Sequence, residues 1–194
     1  MDQKEIASLL HHTYPFLNPT TIQQLINAGK HEIYRNKQII LPAGKNSQKV
    51  FFILSGMVRG YFINQKGEEK NIFLRPEHTI SGAPDSLFQN KRSKYTFESI
   101  LETHLLLFSY DALQALSLQN PAINQLMIAA LQENIQTLVF RVESLIDKQP
   151  EERYEELLER SPQFFQTAFN KHIANYLGIT PNSLSRIIKR RKEG

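Results

Sequence analysis

Asn182, Ser183 and Arg186 lie close together near the end of the chain, and Lys189, Arg190, Arg191 and Lys192 follow directly. In such a cluster these residue types are suited to reading a polynucleotide. Arginine can fork two hydrogen bonds onto guanine, asparagine can pair with adenine, and serine reaches a base or a phosphate. A run of lysine and arginine neutralises phosphates and so adds affinity more than sequence choice. Lys171, a little upstream, suits the same backbone role.

Charge is concentrated in this segment. Of 23 basic and 19 acidic residues, six and one lie from Lys171 onward, leaving 17 and 18 in the first 170. A positive excess confined to one end points to an anionic partner, DNA first; a solvated basic tail is the plainer alternative.

To read base edges, such side chains must sit on the outward face of a helix near its start. The stretch HIANYLGITPNSLSRIIKRRK provides that support. A helix-turn-helix needs a small residue where its helices cross, a glycine at the turn, and apolar residues at fixed offsets. Ala174, Gly178 and the set Ile173, Leu177, Ile179, Leu184 and Ile187 meet those needs. Thr180 can cap the second helix, with Pro181 at its first position. That arrangement turns Asn182, Ser183 and Arg186 outward. The expected DNA-contacting set is Lys171, Thr180, Asn182, Ser183, Arg186, Lys189 and Arg190. A generic αα-hairpin that binds nothing is the competing reading.

Other chemistries find little support. The chain has no cysteine, which excludes disulfides, cysteine-held zinc or iron–sulfur clusters, and thiol catalysis. His11 and His12 are adjacent and diverge on a helix, so they cannot readily share one ion. A metal-dependent jelly-roll enzyme of the cupin type needs clustered histidines, and the β-rich region holds only His31, His78 and His104. No metal site and no enzymatic activity are expected.

Upstream, the texture falls into three parts. The first 28 residues read as two short helices, Ile6, Leu9 and Leu10 sharing one face of the first. Asn18 caps the second, Pro19 starts it and Gly29 stops it. From His31 to Ser109 come short β-branched and aromatic runs: KQIIL, VFFIL, VRGYFI, KNIFL, YTFESI and HLLLFS. They are separated by the turn signals PAGKN, SG, NQKGEE, RPEH and FQNKRS. Many short strands at this spacing predict a jelly-roll, with Gly56 and Gly67 in tight turns at positive φ.

From Asn120 and Pro121 a helix runs unbroken to Pro150. Ile128, Leu131, Ile135, Leu138, Val142 and Leu145 form a coiled-coil seam on it. A second stripe, Ile123, Leu126, Met127 and Ala130, is free to pack back on the β region. One face of a monomeric core helix is the alternative to dimerisation. Pro150 then opens an acidic helix, EERYEELLER, which Pro162 ends. The expected fold is α+β: a sensor domain at 1–119, a dimerisation helix at 120–147 and a helix-turn-helix domain at 148–194. No stretch has the roughly 18 apolar residues of a membrane span, and the polar N-terminus lacks a signal peptide's apolar run. A cytoplasmic location is expected.

With these residues in view, the chain resembles the Crp/Fnr family of bacterial transcription regulators over nearly all its length. VFFILSGMVRGYF matches the family's strand–glycine–strand element, and LGITPNSLSRIIK its recognition region, Arg186 falling on the base-reading arginine. The resemblance implies a cyclic-nucleotide-binding-type β-roll, a homodimer through the long helix, double-stranded DNA bound at a two-fold symmetric site, and RNA polymerase as a candidate further partner.

Departures matter too. Family members that bind cyclic AMP carry a Gly-Glu pair and, about ten residues later, Arg-Ser or Arg-Thr. Gly82 here is followed by Ala83, Ser93-Lys94 fill the second pair, and Arg92 is one residue out of register. Lacking the carboxylate, and with the arginine displaced, the pocket has lost its main phosphate counter-charge, so cyclic AMP is not expected as a cofactor. Arg59 either points into the roll toward an anionic ligand or pairs with an acid such as Glu98 or Glu68. The expected pocket set is Arg59, Gly82, Ala83, Arg92, Ser93 and Lys94. At the head of the recognition helix, Pro181-Asn182 replaces the Arg-Glu of cyclic-AMP-type members, which implies a different DNA sequence. The competing function is a ligand-binding or protein-interaction roll with a vestigial helix-turn-helix.

Overall fold

Capping chemistry sets the first helices of the computed structural model, which describes residues 1–193. α1 (Gln3–Thr13) opens with Asp2 accepting from the Glu5 amide while the Glu5 carboxylate accepts from the Asp2 amide, a reciprocal box. α2 (Pro19–Ala28) begins with the Asn18 cap and ends at Gly29, as the sequence predicts.

Six antiparallel strands follow: β1 (Lys30–Tyr34), β2 (Ile39–Leu41), β3 (Lys49–Ile63), β4 (Glu69–Pro76), β5 (Ile80–Gly82) and β6 (Thr96–Ser109). The path runs β1-β6-β3-β4, with β2 paired to β6 and β5 to β3. Alternation along β3 sorts its side chains. Phe51, Ile53 and Val58 share a core with Phe97, Leu105 and Leu107 of β6 inside the roll. Val50, Phe52 and Leu54 belong to a second core with α1 and α2.

Ser55-Gly56 is not a turn. β3 continues through it as one 15-residue strand, and its register against β6 shifts on both sides. Gly56 does hold φ +89°, and a Cβ there would fall 2.6 Å from the Glu102 carbonyl oxygen. The glycine therefore serves a bulge that bends a long strand. YTFESI and HLLLFS likewise belong to one strand, β6, joined through Leu101 at φ +63°. Gly67 sits in the expected tight loop, φ +76°, its amide bonded to the Asn64 carbonyl.

Among the helices that the pattern does not announce are α3 (Pro84–Gln89), overlapping the supposed turn FQNKRS, and α4 (Tyr110–Gln119). Each buries one residue, Ser86 and Leu113, too little to leave an apolar period. α5 (Pro121–Asp147) is capped by Asn120 as expected. Its residues Ile123 and Leu126 are buried against α1, α2 and the outer face of the roll, with Met127 packed beside them, and Ala130 is buried further along.

The opposite face of α5 is open. Ile128, Leu131, Ile135, Val142 and Leu145 are exposed, joined by Val139 and Ile146. Leu138 departs from the expected seam: it is half-buried and packs against the core of the roll. Val139 takes its place in the exposed stripe; about 3.6 residues per turn do not keep to a strict seven-residue repeat.

α6 (Pro150–Arg160), α7 (Gln163–Thr167), α8 (Asn170–Tyr176) and α9 (Pro181–Glu193) complete the chain. Their buried residues do not form a separate core. Tyr154, Leu157, Phe164, Ile173, Leu184 and Ile187 cluster with Met57, Leu74 and Ile100 of the roll.

Candidate functional site: recognition helix, roll and cavity

α8 and α9 meet at Gly178, φ +71°. Ala174 is fully buried between them with Ile173 and Leu184, and Leu177 and Ile187 close the contact. Thr180 Oγ1 accepts from the Ser183 amide at 3.1 Å and lies 2.9 Å from the Ser183 hydroxyl. Ser183 is thus half-buried and engaged at the cap. Asn182 and Arg186 are exposed, and Arg186 has no ion-pair partner among the described residues. Lys171, Lys189 and Lys192 are exposed as well. Arg190 pairs with Glu151 at 3.0 Å and Arg191 with Glu155 at 3.1 Å, so the acidic face of α6 holds two of the arginines expected to meet phosphates. Pairs this exposed contribute about 0–1 kcal/mol, and a phosphate displaces them at little cost.

The helix-turn-helix is fastened to the roll by groups that carry no sequence signature. The Asn71 amide donates to Asn175 Oδ1 at 2.6 Å, Asn175 Nδ2 donates to the Glu69 carbonyl at 2.7 Å, and Asn71 Nδ2 donates to the His172 carbonyl at 3.1 Å. Arg141 of α5 donates to the carbonyls of Ile72, Asn71 and Tyr176. The one available hint was a cation on the body-facing stripe of α5, where only apolar residues would be expected.

Burial at this junction pushes the His172 imidazole down to about 4, with Arg59 and Lys171 adding to the effect. An unfolded histidine titrates near 6.5, so between those values unfolding takes up a proton. Stability is therefore greatest above about pH 6.5 and falls as pH drops toward about 4, by on the order of 2–3 kcal/mol. Urea titrations at pH 7.5 and 4.5 measure this difference, and His172→Gln should shrink it. An unchanged difference in that variant would assign the acid sensitivity to other groups.

The six expected pocket residues do not surround one space. Arg59 is buried near one end of β3, where Nε donates to Glu98 at 2.9 Å and Nη1 to Glu69 at 2.6 Å and Asn71 at 3.3 Å. Of the acids anticipated, Glu98 is its partner; Glu69 takes the place of Glu68 because alternation puts it on the arginine's face. Gly82 pairs with Val50 at the other end of β3. Ala83 is buried, and Arg92 and Lys94 are exposed. Ser93 is folded into its own turn, exchanging hydrogen bonds with the Tyr95 backbone. The interior of the roll is filled by rings: Phe73 stacks on Phe97 at 5.6 Å and Phe51 meets Phe97 edge-on at 5.7 Å.

Two further groups stand out. His31 and His104 lie side by side on β1 and β6 with ring nitrogens 3.2 Å apart, within hydrogen-bond distance, and no metal-ligating group of three arises among the described residues. Arg75 is buried in β4 with Nε and Nη2 lacking hydrogen-bond partners among the described residues. Glu133 of α5 faces the same region, its carboxyl held above the ordinary range by burial despite the pull of Arg75.

Between the outer face of β3, α3 and α5 lies a cavity of about 220 Å³. Phe52, Leu87, Leu126, Leu131, Ile135 and Leu138 are among its walls, and the only polar side chains on it besides the Tyr110 hydroxyl are those of Ser81 and Asn134.

A strand roll joined by one long helix to a helix-turn-helix defines a two-part architecture. Comparison with known proteins agrees. Residues 31–120 match the cyclic nucleotide-binding domain. The global nitrogen regulator of a Nostoc species is 28% identical over 57% of this chain and 50% of its own length. The anaerobic regulatory protein of Haemophilus influenzae is 24% identical over 91% of this chain and 73% of its own. The solved structure of FixK2 from Bradyrhizobium japonicum shares the fold at a TM-score of 0.72 and 17% identity, covering 84% of this chain and 83% of that one. Residues 31–120 thus match a cyclic nucleotide-binding domain, and over most of its length the chain is similar to transcription regulators of the Crp/Fnr kind. No helix among the described residues is long and apolar enough to cross a membrane.

Proposed function

We propose that the protein is a sequence-specific, non-catalytic DNA-binding regulator that acts as a homodimer in the cytoplasm, with α9 in the major groove. In this reading residues 1–119 sense, 120–147 dimerise and 148–194 bind DNA, with RNA polymerase a further partner. The observation that carries it is the exposed Asn182–Arg186 face at the capped start of α9, on a helix pair whose other side is fully packed. Arg186 and Asn182 read bases there; Thr180 and Ser183 hold the helix start; Lys171, Lys189 and Arg190 meet phosphates. The exposed stripe on α5 supports the dimer. Control by cyclic AMP is not part of the proposal: aromatic rings fill the roll, and Arg59 is saturated by Glu98, Glu69 and Asn71.

Selection of sites from a random duplex library at physiological salt, with and without cyclic AMP, tests this. A two-fold symmetric motif with half-sites about one helical turn apart is expected, unchanged by the nucleotide. Arg186→Ala should weaken binding to the selected site by roughly 1–3 kcal/mol and relax the preference at one position per half-site. A variant that binds as the wild type would favour a roll module with a vestigial helix-turn-helix.

A further inference from the structure

Of the two buried arginines of the roll, Arg59 is paired and Arg75 is enclosed by protein. The cavity against α5 is different, being both open and apolar. We propose that it is a ligand site for an uncharged, apolar small molecule, aromatic or aliphatic, and that this is what the protein senses. The sensing role rests on the regulator reading above; the binding does not.

Chemistry selects the ligand class. No lysine, arginine, histidine, aspartate or glutamate lines the cavity. The Asn134 amide nitrogen already donates to the carbonyls of Ile80 and Ala130. A charged molecule entering here would lose its hydration and meet no counter-charge. An apolar one would gain close contacts on all sides that the empty space forfeits. At about 220 Å³ the space exceeds the roughly 150 Å³ dry cavity that suffices for benzene.

Position gives such a ligand leverage. Val50 and Phe52 on the wall belong to the outer face of β3, while Phe73 and Leu138 bring the edge of the roll's ring-packed core to the same space. Gly82 and Leu87 join it from β5 and α3, while Leu131 and Ile135 join it from the exposed stripe of α5. An occupant touches the helix proposed to dimerise and favours whichever placement of α5 encloses it better.

The test titrates full-length protein with N-phenyl-1-naphthylamine, an uncharged dye that brightens in apolar surroundings, in the absence of DNA. Saturable binding at one dye per chain is expected, displaced by indole but not by octanoate or cyclic AMP. Ala130→Leu extends a side chain into the space and should weaken dye binding by about tenfold or more. Phe88→Asp changes an exposed rim residue, leaves the fold unchanged by circular dichroism, and should weaken it comparably. Absence of saturable binding, an affinity unchanged in both folded variants, or displacement by octanoate as readily as by indole would overturn the proposal. Dye binding in a preparation that binds no duplex DNA would support the site and sink the regulator reading; DNA binding without dye binding would do the reverse.

Discussion

Replacing Arg141 with alanine is expected to lower the thermal midpoint by roughly 10 °C, because this one guanidinium ties α5, β4 and α8 together. Its Nη1 lies 2.8 Å from the Ile72 carbonyl, Nη2 lies 2.8 Å from that of Asn71 and 2.9 Å from that of Tyr176, and Nε lies 3.2 Å from the latter. The carbon of the guanidinium also sits 4.1 Å over the Tyr176 ring. Truncation removes a charged donor from three carbonyls at a partly buried junction, and each such bond contributes about 1.5–3 kcal/mol. With overlap between them, a loss of about 3–5 kcal/mol follows, and a chain of this size shifts by roughly 2–4 °C per kcal/mol. Scanning calorimetry reads the result directly. Arg141→Lys should recover less than half of the loss, since an ammonium keeps the charge but lacks the planar fork. A midpoint within about 2 °C of the wild type in the alanine variant would show that the helix-turn-helix is held by its apolar contacts alone.

Ile135→Asp is expected to convert the proposed dimer to monomer at micromolar concentration and to abolish binding to a symmetric site. Ile135 is 58% exposed in the single chain, midway along a stripe that includes Ile128, Leu131, Val139, Val142 and Ile146. Apolar side chains in that pattern, left open from Ile128 to Ile146 of the helix, fit a matching helix from a second copy. In a two-fold arrangement the substitution places two carboxylates in one desolvated seam, each without a partner. A weakening of the dimer by about 100-fold or more is the expected scale. Because the residue is exposed in the single chain, the variant should fold normally, which separates assembly from stability. Sedimentation velocity on both proteins checks the first part. A variant that sediments as the wild type would place the dimer contact elsewhere or remove it.

Much of this protein was legible without coordinates because its signals are local. Asn18-Pro19, Asn120-Pro121 and Thr180-Pro181 announce three helix starts through capping oxygens and fixed φ, and all three occur as read. Ala174, Gly178 and the apolar offsets around them specify the helix-turn-helix, since only a small residue fits the crossing and only glycine readily takes a φ of +71° at the turn. The body-facing stripe of α5 follows from its period. Short helices such as α3, which bury a single residue, leave no such mark.

What tertiary structure alone decided involves residues distant in sequence. Whether Ser55-Gly56 is a turn or a bulge depends on Glu102 and Thr103 of another strand, which crowd any Cβ at that point. Arg59 favours an acid over a ligand on sequence grounds, but which acids was decided by Glu69, Asn71 and Glu98 arriving around it on two neighbouring strands. The union of Asn71, Arg141, His172 and Asn175, and the cavity built from α1, α2, β3, α3 and α5, have no periodicity to betray them. A period records which face of one element is buried. It does not record what the face is buried against, and at a junction or a cavity the function depends on that partner.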